Sequence, residues 1–167
     1  AGSGKPPRRI SVTDETDAAG FYAVKCLTTP LGRSVFFVAA REERGIWRGY
    51  DDPRPGALTQ SMGPGSDIRH LAAHSRGGAL FLWAAAGATQ GQAGEGAFRT
   101  FVAENQDGAD PWSSMRNLWR GGSCFGLTFD SERVYAGSFD AGVLEGDLNA
   151  PTFKWQAPDI KSGLPLR

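Results

Sequence analysis

Three stretches of this sequence begin in the same way, and an internal repeat limits the possible folds more than any other feature. Each stretch places an apolar residue two or three positions before a leucine, in Val24-Lys25-Cys26-Leu27-Thr28, Ile68-Arg69-His70-Leu71-Ala72 and Cys124-Phe125-Gly126-Leu127-Thr128. The successive leucines lie 44 and 56 residues apart. A period of this length indicates a supersecondary unit that is repeated with loop insertions.

A strongly β-prone run that ends in small residues follows each start. The runs are Val35–Ala40, Leu80–Ala85 and Arg133–Gly137. A glycine and two apolar residues come next, as Gly45-Ile46-Trp47, Gly96-Ala97-Phe98 and Gly142-Val143-Leu144. We expect the runs to be second strands that are buried on both faces between neighbouring sheets. The glycines are expected to open third strands after a tight turn that requires positive φ.

A weaker fourth strand closes each unit. Its candidates are Ala57–Met62, Met115–Arg120 and Phe153–Ala157. Four short strands bounded by Gly, Pro, Asn and Asp turns form the antiparallel meander of one β-propeller blade. The content of 23 Gly and 10 Pro with 2 Met also favours a turn-rich β protein. The sequence therefore predicts an all-β fold, a partial β-propeller of about three four-stranded antiparallel blades. An ordinary β-sandwich is the alternative.

The repeat divides the chain into three blades, which we expect at residues 20–66, 67–122 and 123–160. Residues 1–19 are interpreted as an N-terminal extension or a strand of a preceding blade, and residues 161–167 as a linker to a next blade. Propellers close with four to eight blades, so three blades leave two open faces, which we expect to be apolar. We therefore expect the ring to be completed by a protein partner or by the remaining blades of the same parent protein.

The sequence of the second and third strands resembles a known family. The segments Val134-Tyr135-Ala136-Gly137-Ser138 before Gly142-Val143-Leu144, and Val35–Ala40 before Gly45-Ile46-Trp47-Arg48, are similar to bacterial propellers with sialidase-type and sortilin-like repeats. The resemblance runs from residue 20 to residue 165 and implies a propeller fold. The Asp box of those families is degenerate here, in the turns Arg48–Pro53 and Glu145–Asn149. A WD-type propeller is the competing assignment, although no Trp-Asp dipeptide occurs.

Charge and hydropathy argue against two classes of partner. The 18 basic and 18 acidic residues give a net charge of zero, so no overall field attracts the chain to nucleic acid or to an anionic membrane. No stretch approaches the roughly 20 apolar residues that a membrane-spanning helix needs. We predict neither nucleic-acid binding nor membrane insertion, and the compartment stays open.

The residues that carry chemistry are few. We expect Cys26 and Cys124 to be buried free thiols, because each precedes an apolar residue in a predicted strand. His70 is placed in a first strand and His74 in the turn after it, and no third residue has metal-ligand spacing. Tyr135 is assigned to a core strand. No phosphate-binding loop or nucleophile elbow occurs. We therefore predict no catalytic residue, no metal site and no cofactor.

The turn between the second and third strands is the best candidate for binding. In a propeller these turns share one end of the ring, where aromatic and arginine side chains make strong anchors. The candidates are Arg41, Glu43, Arg44, Gln92, Glu95, Phe139 and Asp140, with Trp112 on a long connection. We expect a non-catalytic protein-binding or scaffold segment of a larger assembly. The alternatives are a glycan-binding or sialidase-like propeller, and a sensor module of a multidomain effector whose protease or nuclease lies elsewhere.

Overall fold

A computed structural model describes residues 20–40, 43–50, 58–63, 65–88, 94–104 and 108–158. The described residues form twelve β-strands and no helix. Sheet A contains β1 (Phe21–Thr28), β2 (Ser34–Ala40), β3 (Ile46–Tyr50) and β4 (Thr59–Met62). Sheet B contains β5 (Ile68–Arg76), β6 (Ala79–Ala86), β7 (Ala97–Phe101) and β8 (Ser113–Ser114). Sheet C contains β9 (Cys124–Phe129), β10 (Arg133–Ser138), β11 (Gly142–Asp147) and β12 (Trp155–Gln156).

Each sheet is an antiparallel meander whose strands pair in chain order. The first strands lie together, since β5 contacts both β1 and β9. The arrangement is therefore a partial, three-bladed propeller-like fold in which the sheets do not close into a ring. The all-β prediction is confirmed.

The glycines that open the third strands have the predicted conformation. Gly45, Gly96 and Gly142 have φ values of 81°, 71° and 67°. A side chain is strained in this region, and at Gly45 an added Cβ would also lie 2.1 Å from the carbonyl oxygen of Met62. Glycine is thus required at this turn by the backbone and by the close approach of the next connection.

Two apolar cores form between the sheets, one on each face of the middle sheet. Along β6, Leu82, Ala84 and Ala86 pack into the first interface, between sheets A and B. Trp83 and Ala85, which point the other way, pack into the second interface, between sheets B and C. All five side chains are fully buried. Because the side-chain period of a strand is two, this strand must be apolar at every position.

The second strands of the outer sheets differ from the expectation of burial on both faces. In β2 the side chains of Val35, Phe37 and Ala39 are fully buried, whereas Phe36 and Val38 are only half-buried. The prediction fails at β2 because sheet A packs on a neighbouring sheet through one face alone. Strand β10 shows the same alternation, with half-buried Tyr135 between buried neighbours, so Tyr135 is not a core residue.

The pairing register corrects the alignment of the first strands. Val24 pairs with Val38, Leu71 with Ala84 and Leu127 with Ala136, so Val24 holds the position of the two leucines in sheet A. The sequence alignment instead matched Leu27 with these leucines. Leu27 lies three residues after Val24, on the opposite face of β1, where its side chain packs against sheet B. Apolar spacing alone cannot detect this shift, because both residues are apolar.

Three smaller expectations also change. The fourth strand of sheet B is Ser113–Ser114, just before the predicted Met115–Arg120, because the Met115 and Trp119 side chains enter the second interface. His74 lies inside β5 and not in a turn. Cys26 is exposed, since it lies on the open face of sheet A, whereas Cys124 is buried as expected.

The open faces are not equally apolar. The open face of sheet A carries Val24, Cys26, Phe36, Val38 and Trp47, as expected from the strand pairing. On sheet C the strand residues that point away from sheet B are mostly polar or glycine, with Val143 as the aliphatic exception: Gly126, Thr128, Arg133, Tyr135, Gly137, Val143, Glu145, Asp147 and Gln156. Gln156 Nε2 donates a hydrogen bond of 3.1 Å to Glu145 Oε1, and Arg133 Nη1 lies 3.6 Å from Glu145 Oε2. The expectation of two apolar open faces is therefore wrong for sheet C.

Candidate functional site

The turns between second and third strands lie at the same end of the fold as the connections between sheets. At sheet A, Gly65 N donates a hydrogen bond of 2.8 Å to Glu43 O, which ties the β2–β3 turn to the connection into sheet B. Ser66 Oγ then donates to Glu95 Oε2 over 3.3 Å, which joins that connection to the β6–β7 turn. Two neighbouring turns are thus linked through one connection.

The same pattern continues from sheet B to sheet C. Ala88 N donates to Ser123 Oγ over 2.8 Å, and Phe139 N donates to Ser123 O over 2.9 Å. Asp140 N donates to Gly121 O over 2.9 Å. One continuous surface therefore runs over all three sheets, and we call it the turn end.

Each first strand carries a β-bulge where it leaves the turn end. The register skips Tyr22 in β1, Arg69 in β5 and Phe125 in β9, and in each case the skipped residue is the second of its strand. A bulge adds one unpaired residue and changes the direction of its side chain, and bulges are frequent at barrel rims and beside binding sites. The repeat therefore places one irregular residue per sheet at the turn end.

Arg69 organises a cluster around two of these bulges. Its Nε and Nη2 donate hydrogen bonds of 2.9 and 2.7 Å to Asp67 Oδ2. The guanidinium lies 5.5 Å from the centroid of the Phe125 ring, within the range of a cation–π contact. The Phe125 ring packs edge-on against Phe139, with centroids 6.2 Å apart. We call Asp67, Arg69, Phe125 and Phe139 the rim cluster.

The aromatic part of the rim cluster is accessible to solvent. Phe125 is 47% exposed and Phe139 is 75% exposed. Burying the exposed surface of these two phenyl rings against a partner would contribute a favourable free energy of about 25 cal/mol per Å² of apolar surface removed from water. The Asp67–Arg69 ion pair is itself partly exposed and so contributes orientation more than stability.

His70 follows the bulge and joins two sheets. Its Nδ1 accepts a hydrogen bond of 3.2 Å from Leu127 N. Burial and the nearby positive charge of Lys25 lower the pKa of His70 below its usual value of 6.5. The neutral ring is therefore the form that accepts from β9, and His70 acts as a structural link between sheets B and C.

The residues predicted from sequence are dispersed over the molecule. Phe139 is in the rim cluster, and Asp140 is exposed beside it on the same turn. Glu43, Arg44 and Glu95 lie on the turn end at the other two sheets. Their role in binding stays a prediction.

Three predicted residues do not belong to the described turn end. Arg41 and Gln92 lie outside the described residues. Trp112 lies at the opposite end of the fold, where it is half-buried against the first interface and its Nε1 donates to Ser61 Oγ over 3.1 Å. This geometry favours a structural role for Trp112.

Sequence reasoning missed Tyr22, Arg69 and Phe125 because it treated the first strands as regular. The available signal was their shared place, since Arg69 and Phe125 both follow directly after the apolar residue that opens a repeat. In a regular strand the second residue would be an ordinary paired residue that points to one face of the sheet. Only the bulge turns it into a rim position.

Among the residues that the structure describes, no three His, Cys, Asp or Glu side chains come together as a possible metal site. No described segment forms a helix of the length and hydropathy needed to cross a bilayer. Comparisons with protein-family models, with curated proteins and with solved structures gave no match to this chain.

Proposed function

We propose that this chain is a non-catalytic recognition segment of a β-propeller and binds a protein partner through the rim cluster. The observation that carries the proposal is the bulge that recurs at Tyr22, Arg69 and Phe125. A feature repeated at one end of three sheets is a designed element of the fold and not a local irregularity. Two of these bulged residues, Arg69 and Phe125, contact each other, and Phe139 packs against Phe125.

The chemistry of the rim cluster supports protein recognition. Aromatic and arginine residues are the commonest energetic anchors of protein interfaces. Here Arg69 is held by Asp67, and this pairing leaves less side-chain entropy to be lost on binding. Phe125 and Phe139 present neighbouring rings whose mutual contact fixes their orientation. Such a rim would accept an apolar or aromatic side chain of a partner, with a polar group directed to Arg69.

The test compares the wild-type chain with a rim variant and a matched control in quantitative affinity capture from cell extract. The rim variant combines Phe125→Ala and Phe139→Ala. The control is Leu31→Ala, which removes an exposed apolar side chain from the β1–β2 turn at the opposite end. We expect at least one protein to be retained by wild type and control and lost from the rim variant.

The captured protein is then purified and its dissociation constant measured against all three chains. Each anchor should account for at least about 1 kcal/mol, so the double change should weaken binding about 30-fold or more. The proposal fails if no captured protein distinguishes the rim variant from Leu31→Ala. Binding of a glycan array by wild type alone would replace protein recognition with the glycan-binding alternative.

A further inference from the structure

A cleft opens between sheets B and C beside the β5–β6 turn, away from the turn end. Its volume is about 320 Å³, which is at the lower limit of small-molecule sites. The lining combines apolar and aromatic surfaces with two cations, from His74, Arg76, Phe81, Trp83, Arg99 and Leu148. The cleft belongs to the second interface, and the rim cluster contributes no residue to it.

Arg99 is the central charge of this cleft, and no residue that the structure describes neutralises its charge. The guanidinium carbon lies 5.2 Å from the centroid of the Phe81 ring and 5.6 Å from that of Trp83. No hydrogen bond or ion pair links the guanidinium to any residue that the structure describes. Burial and the neighbouring charge of Arg76 lower the pKa of Arg99 from its usual value. A partly desolvated cation without a counter-ion is costly and therefore requires an explanation.

The equivalent arginine in sheet A provides an internal control. Arg48 pairs with Phe37 as Arg99 pairs with Trp83, at matching positions of the second and third strands. Arg48 Nη1 lies 2.5 Å from Asp110 Oδ2, with both side chains 2% exposed. In the first interface this position thus has a carboxylate in contact with its guanidinium. In the second interface the same position faces a cleft.

The other polar groups around the cleft do not supply the missing anion. Arg76 donates hydrogen bonds to the carbonyl oxygen of Leu148 and to Asn149 Oδ1, which are both neutral acceptors. Asp130 raises the pKa of His74 slightly against the lowering effects of burial and Arg76, but its carboxylate already accepts from the Glu132 and Arg133 amides and the Tyr135 hydroxyl. His74 Nε2 and Trp83 Nε1 are also buried without a hydrogen-bond partner among the described residues.

We propose that the cleft between sheets B and C binds a small organic carboxylate with an apolar or aromatic body. The carboxylate would occupy, against Arg99, the place that Asp110 holds against Arg48, with two parallel hydrogen bonds to the planar guanidinium. The body would lie against Phe81, Trp83 and Leu148. Inorganic phosphate offers the charge without the body, so it is expected to be the weaker ligand.

The probe is sodium phenylacetate, titrated into the whole chain at pH 7.5 by calorimetry and by ligand-observed NMR. Wild type should show saturable binding at one site. The neutral analogue 2-phenylethanol should bind at least about tenfold more weakly, because it cannot form the charge-assisted hydrogen bond. Inorganic phosphate should also bind at least about tenfold more weakly, because it lacks the apolar contact.

Three variants locate the binding. Arg99→Gln should weaken phenylacetate binding about tenfold or more, whereas Arg116→Gln, at an exposed arginine outside the cleft, should leave it unchanged. Arg99→Lys keeps the charge and removes the planar fork; it should bind at an intermediate level, and it replaces Arg99→Gln if that variant does not fold. The proposal is wrong if wild type shows no saturable binding, if phosphate binds as well as phenylacetate, or if the Arg99 variants bind like Arg116→Gln.

Discussion

The first and second interfaces form between equivalent strands of neighbouring sheets, yet the equivalent arginine has different surroundings in each. In the first, Arg48 is buried and bound to Asp110 and to the carbonyl oxygen of Gly108, both in the long β7–β8 connection. In the second, Arg99 lies over Phe81 and Trp83, and no acid among the described residues contacts its guanidinium. The third equivalent position, on the face of sheet C that points away from sheet B, carries Glu145, which is 2% exposed.

The difference shows what a repeated scaffold leaves free to vary. Strand pairing fixes where the third-strand side chain points, because paired residues share a face. The connection contributed by the next sheet then decides whether a charge at that point has a partner. In the second interface the connection has another shape, and none of its described residues places a carboxylate against the equivalent arginine.

The largest expected effect is on the first interface. Arg48→Met should lower the free energy of unfolding by about 3–5 kcal/mol, because it leaves the Asp110 carboxylate buried and unpaired. Adding Asp110→Leu should restore most of the loss, since an apolar pair of similar volume often replaces a buried ion pair at little cost. Urea unfolding of the two single variants and the double variant measures both effects.

Arg99→Met is the matched variant for this experiment. It removes the equivalent arginine where no acid is left behind, so the free energy of unfolding should change by less than about 1 kcal/mol. Equal losses for Arg48→Met and Arg99→Met would mean that Arg99 also has a structural counter-ion. The comparison between the interfaces would then be invalid.

The next effect compares a filled interface with an open face. Leu71 and Leu127 are 4% and 6% exposed, whereas Val24 at the equivalent position of sheet A is 68% exposed. Leu71→Ala should cost about 2–5 kcal/mol through lost burial and the cavity that remains. Val24→Ala should cost less than about 0.5 kcal/mol, because little of its side chain is buried.

The same pair of variants tests whether the ring is open in solution. The free energy of unfolding is measured at two protein concentrations a hundredfold apart. A loss of several kcal/mol for Val24→Ala, or a stability that rises with concentration, would show that another surface covers this face. The open-face description of sheet A would then apply only to the isolated chain.

Much of this fold could be predicted from the sequence, because its rules are local. The continuous apolar run of β6 and the glycines at residues 45, 96 and 142 follow from strand periodicity and turn geometry. The register of β1 could not be predicted, since Val24 and Leu27 are both apolar and spacing alone does not show which of them matches Leu71. Period-two patterns tolerate such a shift wherever both faces carry apolar residues.

The candidate sites depended on information that the sequence does not display locally. The turn end and Phe139 followed from the meander topology. The Arg48–Asp110 pair joins residues 62 positions apart, and nothing in either segment indicates the contact. The environment of Arg99 could not be predicted either, because it depends on which side chains of the neighbouring sheet lie within contact distance of the guanidinium. Such an environment depends on contacts between distant segments, and composition and spacing do not reveal those contacts.

A smaller effect on the free energy of unfolding should come from acid, which should weaken the second interface. His70 and His74 both face sheet C, and burial with the charges of Lys25 and Arg76 lowers the pKa of each ring, against a raising effect of Asp130 on His74. The unfolded chain therefore binds more protons than the folded chain as pH falls through 6.5. The stability contributed by the neutral rings is present above pH 6.5 and is lost towards the lowered folded pKa.

Protonation of His70 also removes the acceptor of the Leu127 amide, so we expect a loss of about 0.5–1 kcal/mol between pH 7.5 and pH 5.5. His70→Asn keeps an acceptor oxygen in a similar place and does not titrate, so its stability should fall less over this range. NMR titration of the two rings gives the pKa values directly. Folded values at or above 6.5 would contradict the expected weakening of the second interface by acid.

The smallest effect on stability should come from the cysteines, which report on the same contrast between a filled interface and an open face. Burial raises the pKa of the Cys124 thiol to about 12, and this residue lies in the core of the second interface. Cys26 is exposed on sheet A. At pH 8 a disulfide reagent such as Ellman's should modify Cys26 rapidly and Cys124 only when the protein opens, because the thiolate is the reactive form.

Cys26→Ser should remove the fast phase and change the free energy of unfolding by less than about 0.5 kcal/mol. Protection of Cys26 in the folded protein would contradict the open face, and rapid modification of both thiols would show that the second interface opens more readily than its packing indicates.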